Sequence, residues 1–246
     1  MIKFATRNFF LLLFLLAFFQ FAGADSTLAA NEFEKPASQQ RSVSSDDIEK
    51  NVVAETTRIV AEIVEKSYPE LRTARISVKT FHSRSDYFRS RFSFSRFLTF
   101  RKLHFLIFVN PQVFEKNAPA NGIRAIIAHE LAHAAYYRRH NRFELFGLIA
   151  LQSKSFTARF ERGADLQAIK RGYGAGLKEY REWLYQNIPA KQIARKKRDY
   201  FSPAEIDLIV EAIKEKPDLI DFWIKNVPQN LAEIESAIKS RTPDGK

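Results

Sequence analysis

Residues 126–137 read IIAHELAHAAYY and place two histidines and a glutamate within an otherwise apolar helical segment. His129 and His133 are four residues apart, so both rings lie on one face of a helix and can reach one metal ion. Glu130 lies beside them, close enough to contact a water bound to that ion. Burying these groups without partners is costly, and a metal removes the cost. The alternative is a pair of hydrogen-bonded core histidines, but the H-E-x-x-H spacing favours one Zn²⁺ per chain.

The segment FTARFERGADLQAIKRG, residues 156–172, supplies the best candidate for a third ligand. Catalytic zinc usually takes three protein ligands and a water. Glu161 and Asp165 are four residues apart on a predicted helix, where like charges repel unless a cation lies nearby. We expect Glu161 to bind zinc and Asp165 to accept the outer N–H of a ligating histidine. A solvated surface pair is the alternative for these two acids, and Glu144 is a rival ligand without a helical partner.

Together, H-E-L-A-H at 129–133 and E-R-G-A-D at 161–165 resemble the motifs of the gluzincin zinc metallopeptidases. The similarity is greatest to the CaaX-prenyl-protease-like family and its soluble periplasmic relatives, and it extends over about residues 103–176. It implies a zincin-like fold with these roles: His129, His133 and Glu161 as zinc ligands, Glu130 as catalytic base and Asp165 in support. The chain lacks the spanning helices of the membrane-embedded members, which favours the soluble branch.

The motifs and the resemblance predict a metalloendopeptidase that hydrolyses peptide bonds with a zinc-activated water and Glu130 as general base. Such a site needs another donor for the oxyanion. The unranked candidates are Tyr173, Arg171, His140 and Tyr136. Two alternatives remain open: an inactive metallopeptidase-like protein that serves in envelope binding or assembly, and a zinc amidase that acts on cell wall. A deformylase is excluded, because the chain has no cysteine to act as its ligand.

The residues before the motif predict a helix followed by strands. Helical spacing of apolar residues begins at Ser45-Asp46-Asp47 and ends near Ser67. Alternating residues predict a strand at 75–81, one or two strands within 89–101 and a buried strand at 103–109. A helix follows from about Ile123 to His140. This order indicates the α+β class with a small sheet.

The stretch from Phe88 to Phe100 alternates aromatic residues with serines and arginines. A peptide can bind by adding a strand to an exposed sheet edge, so this stretch is a candidate for substrate contact. The candidate contact residues are Phe92, Phe94, Arg96 and Phe100. The alternative is a half-buried strand whose phenylalanines pack inward and whose arginines face the solvent.

Helices are predicted for most of the chain after residue 155. Their expected ranges are 155–171, 177–187, 203–216 and 229–239, and Ser202-Pro203-Ala204-Glu205 is a capping box. We expect a metallopeptidase core at residues 46–176 and a C-terminal helical region at 177–246 that packs on it. The run Arg195-Lys196-Lys197-Arg198 indicates a solvated helix face, with an anionic envelope polymer as an alternative partner.

The first 24 residues are typical of a secretory signal peptide. Lys3 and Arg7 precede the apolar run Phe9–Phe19, and Ala22-Gly23-Ala24 is a cleavage signal. We expect cleavage near Ala24-Asp25, a flexible linker at 25–45 and a bacterial periplasmic or secreted location. An uncleaved membrane anchor is the alternative. The later sequence predicts no transmembrane span in the mature chain.

The chain carries a formal net charge of +11 and no cysteine. The leader contains Lys3 and Arg7 and no acidic residue, so the mature chain keeps +9. After export, anionic lipid head groups, cell-wall polymers or an acidic substrate are expected partners, and nucleic acid is not. The alternative is a soluble basic protein without an anionic partner. The lack of cysteine excludes disulfides and thiolate zinc sites, and the sequence leaves the oligomeric state open.

Overall fold

The computed structural model describes residues 44–93, 96, 102–140 and 154–240. The strands there are β1 (Arg75–Thr80), β2 (Phe88–Phe92) and β3 (His104–Val109). The helices are α1 (Ser45–Ser67), α2 (Gln112–Glu115), α3 (Ala120–Arg139), α4 (Lys154–Lys170), α5 (Gly174–Asn187), α6 (Ala190–Asp199), α7 (Pro203–Glu215), α8 (Leu219–Lys225) and α9 (Leu231–Ser240). A 3₁₀ turn at Pro69–Leu71 follows α1. The predicted α+β class is confirmed, with helices in the majority.

The three strands form one sheet in the order β1-β3-β2. β1 runs parallel to β3, with Arg75 opposite His104, and β2 runs antiparallel to β3, with Phe88 opposite Val109. Alternate residues of β3 (Phe105, Ile107 and Val109) are buried against the helices, as the pleat of a strand with one covered face requires. Because β2 pairs only with β3 among the described residues, it lies at one edge of the sheet. It also packs beside α3.

α1 covers part of the same core because its apolar residues recur at helical spacing. The side chain of Ser44 accepts a hydrogen bond from the backbone N–H of Asp47 and caps the helix. Val52, Ile59 and Ile63 are buried against the sheet and α3. The predicted linker at 25–45 thus overlaps the helix at Ser45 and its cap at Ser44, and residues 25–43 lie outside the described residues.

α3 is the central helix, and α5 crosses it at close range. A Cβ atom at Gly176 would lie 2.4 Å from the backbone oxygen of Asn121, and one at Gly122 would lie 3.2 Å from the backbone of Tyr180. A side chain at position 176 would therefore clash with α3, and one at position 122 would be tightly packed against α5. α3 is enclosed along most of its length, since residues 122, 123 and 125–135 are buried. Its polar residues at 129, 130 and 133 are therefore held in a packed interior.

The C-terminal helices share a second apolar cluster with α4 and α5. Leu166 and Ile169 of α4 pack there with Phe201, Ile209 and residues of α8 and α9. Ser202 and Glu205 form the predicted capping box at the start of α7. The two short helices α2 and α8 were not predicted individually. The described chain from α1 to α9 belongs to one compact unit.

Several sequence predictions fall on residues that the structure does not describe. The leader at 1–24, Phe94, Phe100 and the rival ligand Glu144 lie outside the described residues. Arg96 is described and is half-buried. Among the described helices, none combines the length and apolar character needed to cross a bilayer.

Candidate metal centre

Three side chains from two helices converge on one point. His129 and His133 of α3 bring their Nε2 atoms to 3.2 Å from each other. Oε2 of Glu161, on α4, lies 3.2 Å from each of those nitrogens. The ligand atoms of the three residues all lie within 4.8 Å of one another. The residues that the sequence singled out as ligands are therefore adjacent, although 28 residues separate His133 from Glu161 along the chain.

This arrangement fits a tetrahedral metal ion. Zinc bonds to nitrogen and carboxylate oxygen are about 2.0–2.2 Å long, so neighbouring ligand atoms in a tetrahedral site are separated by about 3.3–3.5 Å. The three separations of 3.2 Å agree with that value. Imidazole nitrogens with one carboxylate oxygen are also a donor set that zinc commonly takes. The cluster could thus hold a metal ion, and its donor set suits zinc.

A hydrogen bond at Nδ1, the second ring nitrogen of His129, fixes the orientation of the ring. Nδ1 lies 2.7 Å from Oδ1 of Asp165. An ionised carboxylate only accepts hydrogen bonds, so Nδ1 carries a proton and its N–H donates a hydrogen bond to Asp165. In the neutral ring, Nε2 then has a free lone pair that faces His133 and Glu161. This is the arrangement that ligating histidines commonly adopt.

Asp165 is held by groups from beyond the motif-bearing region. Its Oδ1 also accepts a hydrogen bond from Nη2 of Arg181, on α5, at 2.9 Å. Its Oδ2 accepts the backbone N–H of Phe201 at 3.1 Å. Asp165 has no exposed surface, and Arg181 is only 2% exposed. The buried charges of Asp165, Arg181 and His129 therefore compensate one another, as buried ions must.

The charges around the cluster change the pKa of its members. Burial alone would lower the pKa of His129, but the charge and hydrogen bond of Asp165, helped by Glu161, raise it to about 10. Burial would raise the pKa of Glu161, but the two histidines hold it well below its usual value. The site therefore favours positive charge at the point where the three ligand atoms meet.

A cleft of about 320 Å³ opens beside the cluster. Glu130, His133 and Glu161 line it, and residues of β2 and α6 contribute its walls. The ring of Phe160 stacks on His133 at 4.5 Å between centroids and holds that ligand in place. Glu130 is 6% exposed and borders the cleft. A water or other ligand in the cleft can therefore reach Glu130, His133 and Glu161 from the same side.

The four residues expected to stabilise an oxyanion do not border this cleft. The hydroxyl of Tyr173 forms a 2.9 Å hydrogen bond with Ser67, and Arg171 donates to the backbone oxygen of Ser67 at 3.0 Å. His140 bonds to the backbone oxygen of Tyr136 at 2.8 Å, and their rings stack. The first two side chains thus connect the chain just after α4 to the end of α1, and the other two contact each other at the C-terminal end of α3.

Two other tyrosines do border the cleft. Tyr137 follows His133 by one helical turn, and this spacing is a signal that the sequence analysis did not use. Tyr200 lies at the end of α6, with its ring 4.4 Å from the guanidinium of Arg181 and 5.1 Å from the ammonium of Lys196. Neither hydroxyl has a hydrogen-bond partner within the described residues, so both are free to contact a ligand. No local pattern marks Tyr200 or Arg181 as part of the site.

The stretch from Phe88 to Phe100, predicted as a candidate for substrate contact, forms a strand over Phe88–Phe92. β2 forms one wall of the cleft through residues Phe88 to Arg91. Phe92 packs edge-on against Tyr137 at 5.0 Å between centroids, which matches the half-buried alternative for that side chain.

Comparisons of the chain with protein-family models, curated proteins and solved structures found no match.

Proposed function

We propose that this chain is a zinc-dependent metalloendopeptidase of the gluzincin type, with a zincin-like fold. One observation carries the proposal. His129, His133 and Glu161 converge at tetrahedral ligand spacing, and Glu130 borders the same open cleft. An inactive binding protein has no need of a carboxylate kept beside the ligand cluster, so the position of Glu130 favours an enzyme.

The roles of the side chains follow from their positions. His129, His133 and Glu161 hold the ion, and Asp165 fixes the ring of His129 through Nδ1. When bound, zinc lowers the pKa of a coordinated water and polarises the substrate carbonyl. Glu130 accepts the proton of the attacking water and then delivers it to the leaving amine. The hydroxyls of Tyr137 and Tyr200 are the cleft groups available to donate to the oxyanion.

A peptide substrate fits the form of the cleft. β2 is an edge strand that pairs with β3 within the described residues and forms one wall beside Glu130 and His133. An extended peptide can align with such an edge through its own backbone, which places its carbonyl groups along the cleft. This arrangement supports cleavage within a chain. We include export in the proposal, since residues 1–24 are typical of a signal peptide.

Metal analysis combined with casein hydrolysis tests the proposal. We expect about one zinc per chain, hydrolysis that a chelator stops and zinc restores, and a loss of about 10²–10⁴-fold in kcat for Glu130→Gln, because the proton acceptor is removed. Glu235→Gln is the matched control, since Glu235 is exposed on α9. A Glu130→Gln protein that binds zinc and digests casein at the wild-type rate would refute the proposal. Release of cell-wall fragments without protein hydrolysis would favour the amidase.

A further inference from the structure

The cleft already contains one carboxylate held between its two walls. Asp86, just before β2, lies 3.1 Å from Nη2 of Arg89 on β2 and 2.8 Å from Nζ of Lys196 on α6. All three residues border the cleft. One cation from the strand wall and one from the helix wall thus share a single acid. This pair of cations shows how the cleft can hold a carboxylate.

A second pair of cations lies next to the first without an acid. Arg91 follows Arg89 by two residues, so it is on the same face of β2 and about 7 Å further along the strand. Arg195 precedes Lys196 on α6. Both arginines border the cleft and are exposed. Within the described residues, neither has an ion-pair or hydrogen-bond partner.

The remaining acids of the cleft are not available to these arginines. Asp199 is bound by Arg198 through two contacts of 2.7 and 2.9 Å. Glu161 belongs to the ligand cluster, and Glu130, which follows the ligand residue His129 in the chain, is the proposed catalytic base. Arg91 and Arg195 therefore leave positive charge on the lining of the cleft that none of its acids pairs. Opposite charge on a bound peptide would complete the second pair as Asp86 completes the first.

We infer that Arg91 and Arg195 form a subsite for a carboxylate of the substrate, so that the enzyme prefers acidic peptides. The inference rests on the proposed function, because the cleft is assigned to substrate there. Guanidinium groups bind carboxylates in a planar, often bidentate geometry, so a carboxylate that enters the cleft can be bound by either arginine or by both. An aspartate or glutamate side chain, or the terminal carboxylate of a peptide, has the required chemistry.

Matched peptides test the subsite and identify the source of the carboxylate. One set is acetylated and amidated and carries either glutamate or glutamine at a single position, which is moved along the peptide. A second set contains glutamine and a free C-terminus. Cleavage is compared for the zinc-loaded wild type, Arg91→Gln, Arg195→Gln and the double variant. Arg75→Gln is the control, because Arg75 is exposed on β1, at the other edge of the sheet.

We expect kcat/KM to favour the glutamate peptide over its glutamine counterpart by about tenfold at one position. The ratio should approach one in the double variant and persist in Arg75→Gln. A preference for the free C-terminus that the double variant abolishes would also support the subsite and would assign the carboxylate to the chain end. Equal cleavage of all peptides by the wild type, or a preference that survives in the double variant, would overturn the inference.

Binding separates this inference from the proposed function. The same peptides, with a fluorescent label, are titrated onto zinc-loaded Glu130→Gln protein with and without the two arginine substitutions. If the wild type cleaves no peptide, the proposed function fails, and the ratio of dissociation constants still decides whether Arg91 and Arg195 bind a carboxylate. Equal affinity for the glutamate, glutamine and free-terminus peptides would refute the subsite.

Discussion

The two sides of the histidine pair differ in how their polar groups are satisfied. Behind His129, Asp165 and Arg181 are almost fully buried, and both carboxylate oxygens of Asp165 have partners. In front, Glu130 borders an open cleft with Tyr137 and Tyr200, whose hydroxyls have no hydrogen-bond partner within the described residues. We call the first group the rear layer and the second the front layer.

We expect the rear layer to position the ring of His129 and the front layer to contact the substrate of the proposed enzyme. Buried charges destabilise a protein unless they are paired, so the rear layer must be complete before the fold is stable. It can therefore orient His129 without movement when a ligand binds. The front layer leaves its groups without fixed partners, and a substrate can supply those partners. Substitutions in the two layers should consequently affect different measurements.

The largest expected effect is on the cluster between the layers. Glu161→Gln should weaken zinc binding by about 10²–10³-fold, because one of four ligands is replaced and zinc sites are worth about 10–16 kcal/mol in total. Competition with a chromogenic chelator measures the affinity. Asp165→Asn, which changes only a neighbour of a ligand, should lose about 10–100-fold. Equal losses for the two variants would mean that Glu161 is not a ligand.

Removing a charge from the rear layer should lower stability. Arg181→Met leaves Asp165 buried without its guanidinium partner, and we expect the free energy of unfolding to fall by about 3 kcal/mol. Urea denaturation of the metal-free protein measures this change. Arg58→Met is the control, because Arg58 forms exposed pairs on α1, and its midpoint should stay near that of the wild type. An unchanged midpoint for Arg181→Met would show that the rear layer does not stabilise the fold.

Removing a hydroxyl from the front layer should affect turnover and leave stability unchanged. Tyr200→Phe should lower kcat by about 100-fold, with little change in KM, because an oxyanion donor acts in the transition state. Steady-state kinetics on a casein-derived peptide measure both constants. Tyr185→Phe is the matched control, because the Tyr185 hydroxyl has no partner within the described residues and does not border the cleft. A wild-type kcat for Tyr200→Phe would assign the donor elsewhere.

The smallest expected effect concerns the ion pair that joins the cleft walls. Burial would raise the pKa of Asp86, but Lys196 and Arg89 outweigh it and lower the pKa. A lowered carboxyl pKa contributes stability above the unfolded pKa of about 4, and this contribution is lost as the pH falls through the folded value. Asp86→Asn should therefore cost about 1 kcal/mol at neutral pH and progressively less as the pH falls below the unfolded pKa. Urea midpoints of the wild type and Asp86→Asn, measured from neutral to acid pH, give this difference in stability. A difference that stays constant with pH would contradict the role of the Asp86 ion pair.

The sequence predicts the cluster well because its signals are local. The four-residue spacing of His129 and His133 places both rings on one helix face, and the same spacing links Glu161 with Asp165. The predicted helices and strands that carry them agree with the structure to within a few residues. Local periodicity determines these features, so no knowledge of the tertiary fold was needed.

The rest of the site depends on contacts that no local pattern encodes. Arg181 reaches Asp165 from 16 residues away, and the backbone N–H of Phe201 reaches it from 36 residues away. Because every residue except proline has a backbone N–H, the sequence does not show which residue donates from its backbone. Tyr173 and Arg171 are two of the unranked candidates for an oxyanion donor, but in the fold both contact Ser67.

The contact between Phe201 and Asp165 has a consequence for how the metal cluster is assembled. A chain that ends before residue 201 contains every residue of the cluster but lacks this donor for Asp165. The hydrogen bonds that hold Asp165 behind His129 are therefore complete only when the segment after α6 has packed against α4. A chain shortened before residue 201 should accordingly hold the ring of His129 less rigidly than the full-length chain.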